Sequence, residues 1–175
     1  MRYVAVSRVK SPLKSRQSMK IILFQPDIAQ NLGAIMRLSA CFDIGLEIIE
    51  PCGFPLTIKA LRRTAMDYGE PDSLTRHSSW EAFKANRDSQ NSPSNRLILF
   101  TTKAETPLHE FKFEPNDHLL FGRESAGVPD YVHEAADHRV IIPLSGNARS
   151  FNLASSANIG LWEFLRQTRY KTDAN

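Results

Sequence analysis

Polar side chains that could bind a ligand follow an apolar run in "IILFQPDIAQNLGAIMRLSACF". Asn31 is predicted to cap the start of a helix, because an asparagine oxygen there can accept a backbone N–H. Arg37 stands six residues later in that helix. It is either a surface residue whose stem packs along the helix or a group that faces a phosphate. The spacing alone leaves both readings open.

A second segment with chemical potential is "LLFGRESAGVP". Gly122 directly follows a predicted strand, which suits a close approach of the backbone to a ligand or to another segment. Glu124 and Gly127 then form a turn before Pro129. Taken alone, this segment favours a plain connection in which the glycines only turn the chain.

The third segment, "IIPLSGNARSFNLASSANIG", passes from a strand into a helix rich in small residues. A helix that only packs on a sheet usually carries larger apolar residues, which bury more area. Arg149, Ser150 and Asn152 surround the helix start, where free backbone N–H groups favour negative or acceptor groups. A serine-capped helix with a small face for tight packing is the alternative. Gly146 and the small face would also let another chain segment lie against the strand end.

Strands and helices that alternate along the chain must position these segments. Apolar runs predict strands at "IILFQP", "LEIIEP", "SLTRH", "RLILFTT", "DHLLFG" and "RVIIPL". Helical spacing predicts helices at "LGAIMRLSACF", "TIKALRRTAMDY", "SWEAFKANR", "VPDYVHEAA" and "FNLASSANIGLWEFLRQTRY". This alternation predicts an α/β fold, with a mostly parallel sheet and helices on both faces. Ligands of such sheets gather at the carboxyl ends of the strands, where all three segments lie.

Composition narrows the class of protein. The 175 residues, 42% hydrophobic and 23% charged, fit one globular domain, and no apolar run approaches the ~20 residues that span a bilayer. Residues 1–18 are basic and lack the apolar core of a secretion signal, so we expect a candidate disordered extension followed by one domain over 19–175. A transit-like leader and a functional start at Met19 both stay open.

The cysteines favour a cytoplasmic protein, and the net charge permits a nucleic-acid partner. Cys41 and Cys52 lack the spacing of a metal or redox motif, which favours reduced thiols in a cytoplasmic protein. The five histidines show no ligand spacing, so no metal is expected. The net charge of +3 permits an RNA partner without requiring one. Neither the GxGxxG nor the GxxxxGK[ST] phosphate-binding motif is present, so a nucleotide-like ligand would be held in another way.

In order along the chain, the three segments resemble the three motifs of the SPOUT class of RNA methyltransferases, within its 2'-O-ribose branch. The resemblance covers roughly Lys20 to Tyr170. The short chain and "LEIIEPCGFPLTIKALRRTAMDYGE" resemble most the members that act on the tRNA wobble nucleotide, a cytidine or a modified uridine. Arg123 departs from the proline that those members often carry. The residues at matching motif positions are Asn31, Arg37, Gly122, Glu124, Ser150 and Asn152.

The resemblance implies a C-terminal trefoil knot and S-adenosylmethionine as methyl donor. It implies methylation of a ribose 2'-hydroxyl in tRNA. A different tRNA or ribosomal RNA position, and a non-catalytic knotted RNA-binding protein, are the alternatives. The implied catalytic residues are Arg37, Asn31, Glu124 and Asn152. The implied cofactor-binding residues, acting largely through their backbone, are Phe100, Thr101, Gly122, Ile142, Leu144 and Ser150.

The resemblance also implies a tRNA surface and a homodimer. Lys59, Arg62 and Arg63 share one predicted helix face, which is either a solvated face or, with Arg149, a phosphate patch. The last helix has one apolar stripe, while Trp162 and Phe164 lie off it. Since a helix that is apolar on several sides has a second surface to bury, we expect dimerisation through this helix. The stripe is formed by Leu153, Ala157, Leu161 and Leu165.

Overall fold

A computed structural model describes residues 19–56, 74–89, 95–146 and 150–170. Strands and helices alternate through most of these segments, as the apolar runs predict. The strands are β1 Lys20–Phe24, β2 Gly45–Ile49, β3 Leu74–His77, β4 Leu97–Phe100, β5 Thr106–Pro107, β6 His118–Phe121 and β7 His138–Ile141. The helices of the described segments are α1 Ala29–Phe42, α2 Trp80–Ser89, α3 Asp130–Ala135 and α4 Leu153–Thr168.

The strands form one seven-stranded sheet in the order β3-β2-β1-β6-β4-β7-β5. Every pairing between the described strands is parallel, which confirms the predicted sheet type. The two-residue strand β5 was not predicted. Its Pro107 cannot donate to a ladder, and it is tolerated because β5 lies at the sheet edge.

Alternating residues of the strands build two apolar layers, one on each face of the sheet. Ile21 and Leu23 of β1 face α1 and α4, whereas Ile22 and Phe24 face α2 and α3. The near-continuous apolar runs of the central strands follow from this double burial. Helices on both faces, as predicted, therefore cover the sheet.

The last helix buries more of its surface than its stripe predicts. Leu153, Ala157, Leu161 and Leu165 are buried as expected. Phe164, which lies off that stripe, is also fully buried, and its ring meets that of Phe113 edge-on at 5.7 Å. Trp162 remains 55% exposed.

The prediction that Asn31 caps α1 is wrong. The helix begins two residues earlier, at Ala29, and the cap residue Ile28 makes no side-chain capping bond. Ala29 and Gln30 are good helix formers, so the first turn extends to include Asn31 and its amide is available for another partner. By contrast, Asn152 does cap α4, because its Oδ1 accepts the backbone N–H of Ser155 at 3.1 Å.

Several predictions fall outside the described residues. These are the extension over residues 1–18, the helix predicted at "TIKALRRTAMDY" with Lys59, Arg62 and Arg63, and Arg149. No helix of the described segments combines the length and apolarity needed to cross a membrane. Within the same segments, no group of three or more histidine, cysteine or acidic side chains could hold a metal ion.

Candidate active site

A cavity of about 580 Å³ opens at the carboxyl ends of the central strands. The strands β1, β6, β4 and β7 are neighbours in the sheet, so the loops that follow them meet at one edge. The six residues implied for cofactor binding all line this cavity, as do Asn31, Glu124 and Asn152. The structure thus brings together side chains from all three sequence segments.

A chain of hydrogen bonds joins the three segments. The Asn31 amide donates from Nδ2 to Oε1 of Glu124 at 2.7 Å, and its Oδ1 accepts from Nδ2 of Asn152 at 3.0 Å. A carboxylate can only accept, so the nitrogen of Asn31 must face Glu124 and its oxygen must face Asn152. Only 8% of the Asn31 surface is exposed, so the loss of either hydrogen bond would leave a buried polar group without a partner, which is costly.

Asp27 is a member of this network that the sequence reasoning missed. Its backbone N–H donates to Oε2 of Glu124 at 2.7 Å, so both carboxylate oxygens of Glu124 are held by the first loop, the segment from the end of β1 to the first turn of α1. The Asp27 carboxylate accepts from the hydroxyl of Ser125 at 2.5 Å and from its backbone N–H at 3.1 Å. The hydroxyl bond is the main cause that lowers the pKa of Asp27 below its usual value. The available signal was a carboxylate three residues after the end of strand β1.

The loop after β6 is a tight turn closed by its own backbone. Arg123 and Gly127 exchange two N–H···O bonds of 3.0 and 2.9 Å. A Cβ atom on Gly122 would lie 2.5 Å from the carbonyl carbon of Gly127, a distance that real Cβ atoms do not reach. Gly122 is therefore required by this backbone contact, and Gly127 by its φ of +66°.

Arg123 ties the same loop to the end of β1. Its guanidinium donates to Oε1 of Gln25, and its Cζ lies 5.9 Å from the ring centroid of Phe24. Arg123 thus anchors this loop to the end of β1 through its side chain.

Small residues of α4 allow this helix to approach the cavity wall. The Phe100 ring stacks on Phe121 with centroids 4.6 Å apart. A Cβ on Gly160 would lie 2.6 Å from Cζ of Phe100, so any larger residue would displace this ring. Ala157, one turn earlier, is fully buried.

Basic side chains also line the cavity. Lys103 and His133 line it together with Arg123. Burial is the first cause that lowers the pKa of His133 below its usual value, followed by the charges of Lys103 and Arg139, which favours its neutral form. Lys103 and Arg123 hence carry the positive charge of the wall.

Arg37 lies on α1, six residues beyond Asn31, at a half-buried position. It is not one of the residues that line the cavity. Any contact with a substrate phosphate would be made outside these walls.

A second concavity, of about 520 Å³, is lined by residues of α1 and α4 and shares Ile142 with the first cavity. Its lining is mostly apolar and includes Leu38, Phe42, Ile159 and the exposed Trp162.

Comparison with known proteins assigns the family. The sequence model of the SpoU rRNA Methylase family matches residues 18–162. The chain belongs to the SpoU methylase family. This assignment confirms the predicted class, because the match spans all three motif segments.

Other members of the SpoU family include named tRNA enzymes. A tRNA (cytidine(34)-2'-O)-methyltransferase of Beijerinckia indica is 49% identical over 147 residues, which cover 84% of this chain and 90% of that protein. The protein of the same name from Escherichia coli K12 is 37% identical, over 87% of this chain and 95% of that protein.

Solved structures of the family share the fold. One described as "Structural insights into the 2-OH methylation of C/U34 on tRNA" aligns with a TM-score of 0.76 and 35% identity, over 85% of this chain and 95% of that chain. The SpoU methyltransferase AviRb of Streptomyces viridochromogenes, in complex with AdoMet, aligns with a TM-score of 0.73 and 24% identity, over 89% of this chain and 60% of that chain. At that identity, AviRb supports the fold alone.

Proposed function

We propose that this SpoU protein transfers the methyl group of S-adenosylmethionine to the ribose 2'-hydroxyl of tRNA nucleotide 34, a cytidine or a modified uridine. One observation carries the proposal. Asn31, Glu124 and Asn152, from three motifs far apart in sequence, are hydrogen bonded to one another at the wall of a single cavity. The 49% and 37% identical relatives, which bear the name of this activity, support the substrate.

The cavity fits the methyl donor in size and chemistry. Its volume of about 580 Å³ lies within the range of small-molecule sites. Phe100, Ile142 and Leu144 supply apolar wall, and Thr101 and Ser150 supply hydroxyl groups. When bound, S-adenosylmethionine supplies an electrophilic methyl group on a sulfonium, so the protein has little covalent chemistry to perform.

Positioning is therefore the main task of the protein's own residues. Glu124, in the second loop, which follows β6, accepts hydrogen bonds from Asp27 and Asn31 in the first loop and so holds these two loops together. Asn152 links the third loop, which connects β7 to α4, to the first loop through Asn31, and it caps the start of α4. With all three loops held, the ribose hydroxyl can be presented in line with the methyl group.

Arg37 is proposed to bind the phosphate beside the target ribose and to polarise the hydroxyl. Arginine is effectively always protonated in proteins, so Arg37 does not act as the base, and the hydroxyl proton leaves by another route as the methyl group is transferred. Further phosphates would meet Lys59, Arg62, Arg63 and Arg149, the predicted tRNA-binding residues.

We further infer that residues 19–175 act as one domain with a trefoil knot at its C-terminal end. The single sheet that runs through strands from β1 to β7 supports one domain. The small residues Ala157 and Gly160, packed against the strand ends, support a close crossing of the chain there. A tRNA substrate is consistent with a cytoplasmic protein.

A homodimer through α4 is proposed as well. Trp162 is 55% exposed beside an apolar groove, and a second subunit would bury both. Light scattering at micromolar concentration should give twice the chain mass for the wild type and the chain mass for Trp162→Glu. Tyr131→Glu, at another exposed aromatic residue, is the control and should stay dimeric. A monomeric wild type would refute the dimer.

The proposed function is tested with purified protein, S-adenosylmethionine carrying a labelled methyl group, and bulk tRNA lacking 2'-O-methylation. Mass mapping should place the label on the ribose of nucleotide 34. A label elsewhere in tRNA, or only in ribosomal RNA, would favour an enzyme for another position. Absence of both label transfer and heat on titration with S-adenosylmethionine would favour a non-catalytic RNA-binding protein.

A further inference from the structure

Large apolar side chains are exposed at the mouth of the cavity. Six large hydrophobic residues of the described segments are exposed, and Ile28, Leu144 and Phe151 among them line the cavity at 42%, 39% and 47% exposure. Exposed apolar groups that cluster at a site commonly mark a binding surface. The polar network described above does not use these three side chains.

Two of these side chains flank the amide pair at the centre of the site. Ile28 directly precedes α1, and its carbonyl accepts the backbone N–H of Asn31 at 3.1 Å. Phe151 directly precedes Asn152, the N-cap of α4. Because Asn152 and Asn31 are hydrogen bonded at 3.0 Å, the two apolar residues are held next to the same pair of amides.

A nucleotide bound at this pair would bring its base to the apolar surface. The base is attached to C1' of the ribose, one bond from the carbon that bears the 2'-hydroxyl. A hydroxyl held beside Asn31 and Asn152 therefore carries its base to within a few bonds of that point. A base taken out of its own stack is commonly held against an aromatic or apolar side chain.

We propose that Phe151, which lines the cavity together with Ile28 and Leu144, is the platform on which the base of the target nucleotide stacks. The inference rests on the proposed function and deepens it by naming a substrate-positioning residue. Every base has a π-face, so a phenyl platform accepts a cytosine or a uracil equally. Base identity must then be read by other groups.

The test removes the base and the ring separately. The full-length protein is assayed on two anticodon stem–loops. One carries a cytidine at position 34, and the other carries there an abasic ribose that keeps its 2'-hydroxyl. For the wild type, the abasic substrate should lower single-turnover kcat/KM about 10-fold or more, in line with the energy of stacking on an aromatic ring. Phe151→Ala should lose a similar factor on cytidine, and removal of the base should then cost this variant less than about 2-fold.

Controls separate stacking from other roles of the ring. Phe151→Tyr keeps an aromatic face and should behave as the wild type. Tyr131→Ala removes a ring of similar exposure, 50%, that does not line the cavity, and it should keep the full effect of the base. Phe151→Ala should keep the wild-type affinity for S-adenosylmethionine and the wild-type mass in light scattering.

Four results would overturn the proposal. Equal loss by Phe151→Ala on the cytidine and abasic substrates would show a role independent of the base. Weaker cofactor affinity in this variant would assign the ring to the cofactor wall. A change of oligomeric state would assign it to a subunit interface. A wild type that methylates neither substrate would refute the proposed function itself, and the platform with it.

Discussion

The substitution Asn31→Asp changes one donor into an acceptor at the centre of the site. The side chain keeps its shape and keeps an oxygen facing Nδ2 of Asn152 at 3.0 Å. The second oxygen replaces the nitrogen that donates to Glu124 at 2.7 Å. At neutral pH, two carboxylates would then face each other at a position that is 8% exposed.

Asn31→Asp should lower the free energy of unfolding at pH 7 by about 4 kcal/mol. Two charges ~4 Å apart at an effective dielectric constant of ~20 repel by about 4 kcal/mol. If one carboxyl instead takes a proton, holding it at pH 7 against an ordinary pKa near 4 costs a similar ~4 kcal/mol. The shared proton restores the lost hydrogen bond, so the pair has a raised pKa in the folded state. Stability is thus fully restored below pH ~4 and is lost as pH rises through the folded pKa, by up to ~1.4 kcal/mol per pH unit.

Urea unfolding of the wild type and the variant between pH 5 and 8 measures this difference. Glu124→Gln in the same background is the decisive control. An amide there can donate to the introduced carboxylate and still accept the N–H of Asp27, so the double variant should recover most of the stability. Equal stability of Asn31→Asp and wild type, a deficit that does not depend on pH, or no recovery in the double variant would refute the network as described.

Three further predictions concern the turn, the arginine and a buried histidine. Gly122→Val should abolish binding of S-adenosylmethionine in calorimetry, because its Cβ would collide with the Gly127 backbone at 2.5 Å and displace the turn; wild-type affinity would refute this. Arg37→Ala should spare cofactor binding and nearly eliminate methylation. Arg37→Lys should recover part of the methylation rate, because an ammonium also binds phosphate, and this rate should not rise steeply with pH. Normal turnover by Arg37→Ala would show that Arg37 does not belong to the site. Burial, and then the charge of Lys20, lower the pKa of His118 to about 4, so the free energy of unfolding should fall by up to roughly 3 kcal/mol as pH drops from 6.5 to 4. His118→Gln should lack this part of the acid sensitivity in denaturant titrations, and identical pH profiles would contradict the burial argument.

Local patterns in the sequence predict much of this fold. Apolar runs such as "IILF" mark the central strands because both faces of a parallel sheet are buried, and the end of each run marks a loop at the ligand edge. The motif segments therefore indicate which residues could share a site. They also indicate that small residues in α4 serve a close approach, which Gly160 against Phe100 explains.

Contacts between residues far apart in the sequence cannot be predicted from local sequence patterns. Asp27 and Glu124 are 97 residues apart, and no periodicity in either segment reports that pairing. The order of strands in the sheet is likewise set by crossovers, which depend on packing of the whole chain. Asn31 was assigned to a cap on propensity alone, whereas Glu124 and Asn152 determine where its amide points.

Methyl transfer to a single defined hydroxyl tests the central claim most directly. Two anticodon stem–loops would be compared, one with cytidine and one with 2'-deoxycytidine at position 34 and otherwise identical, in the presence of labelled S-adenosylmethionine. We expect stoichiometric transfer to the cytidine RNA and none to the deoxycytidine RNA. Equal labelling of the two RNAs, or labelling of neither, would contradict it.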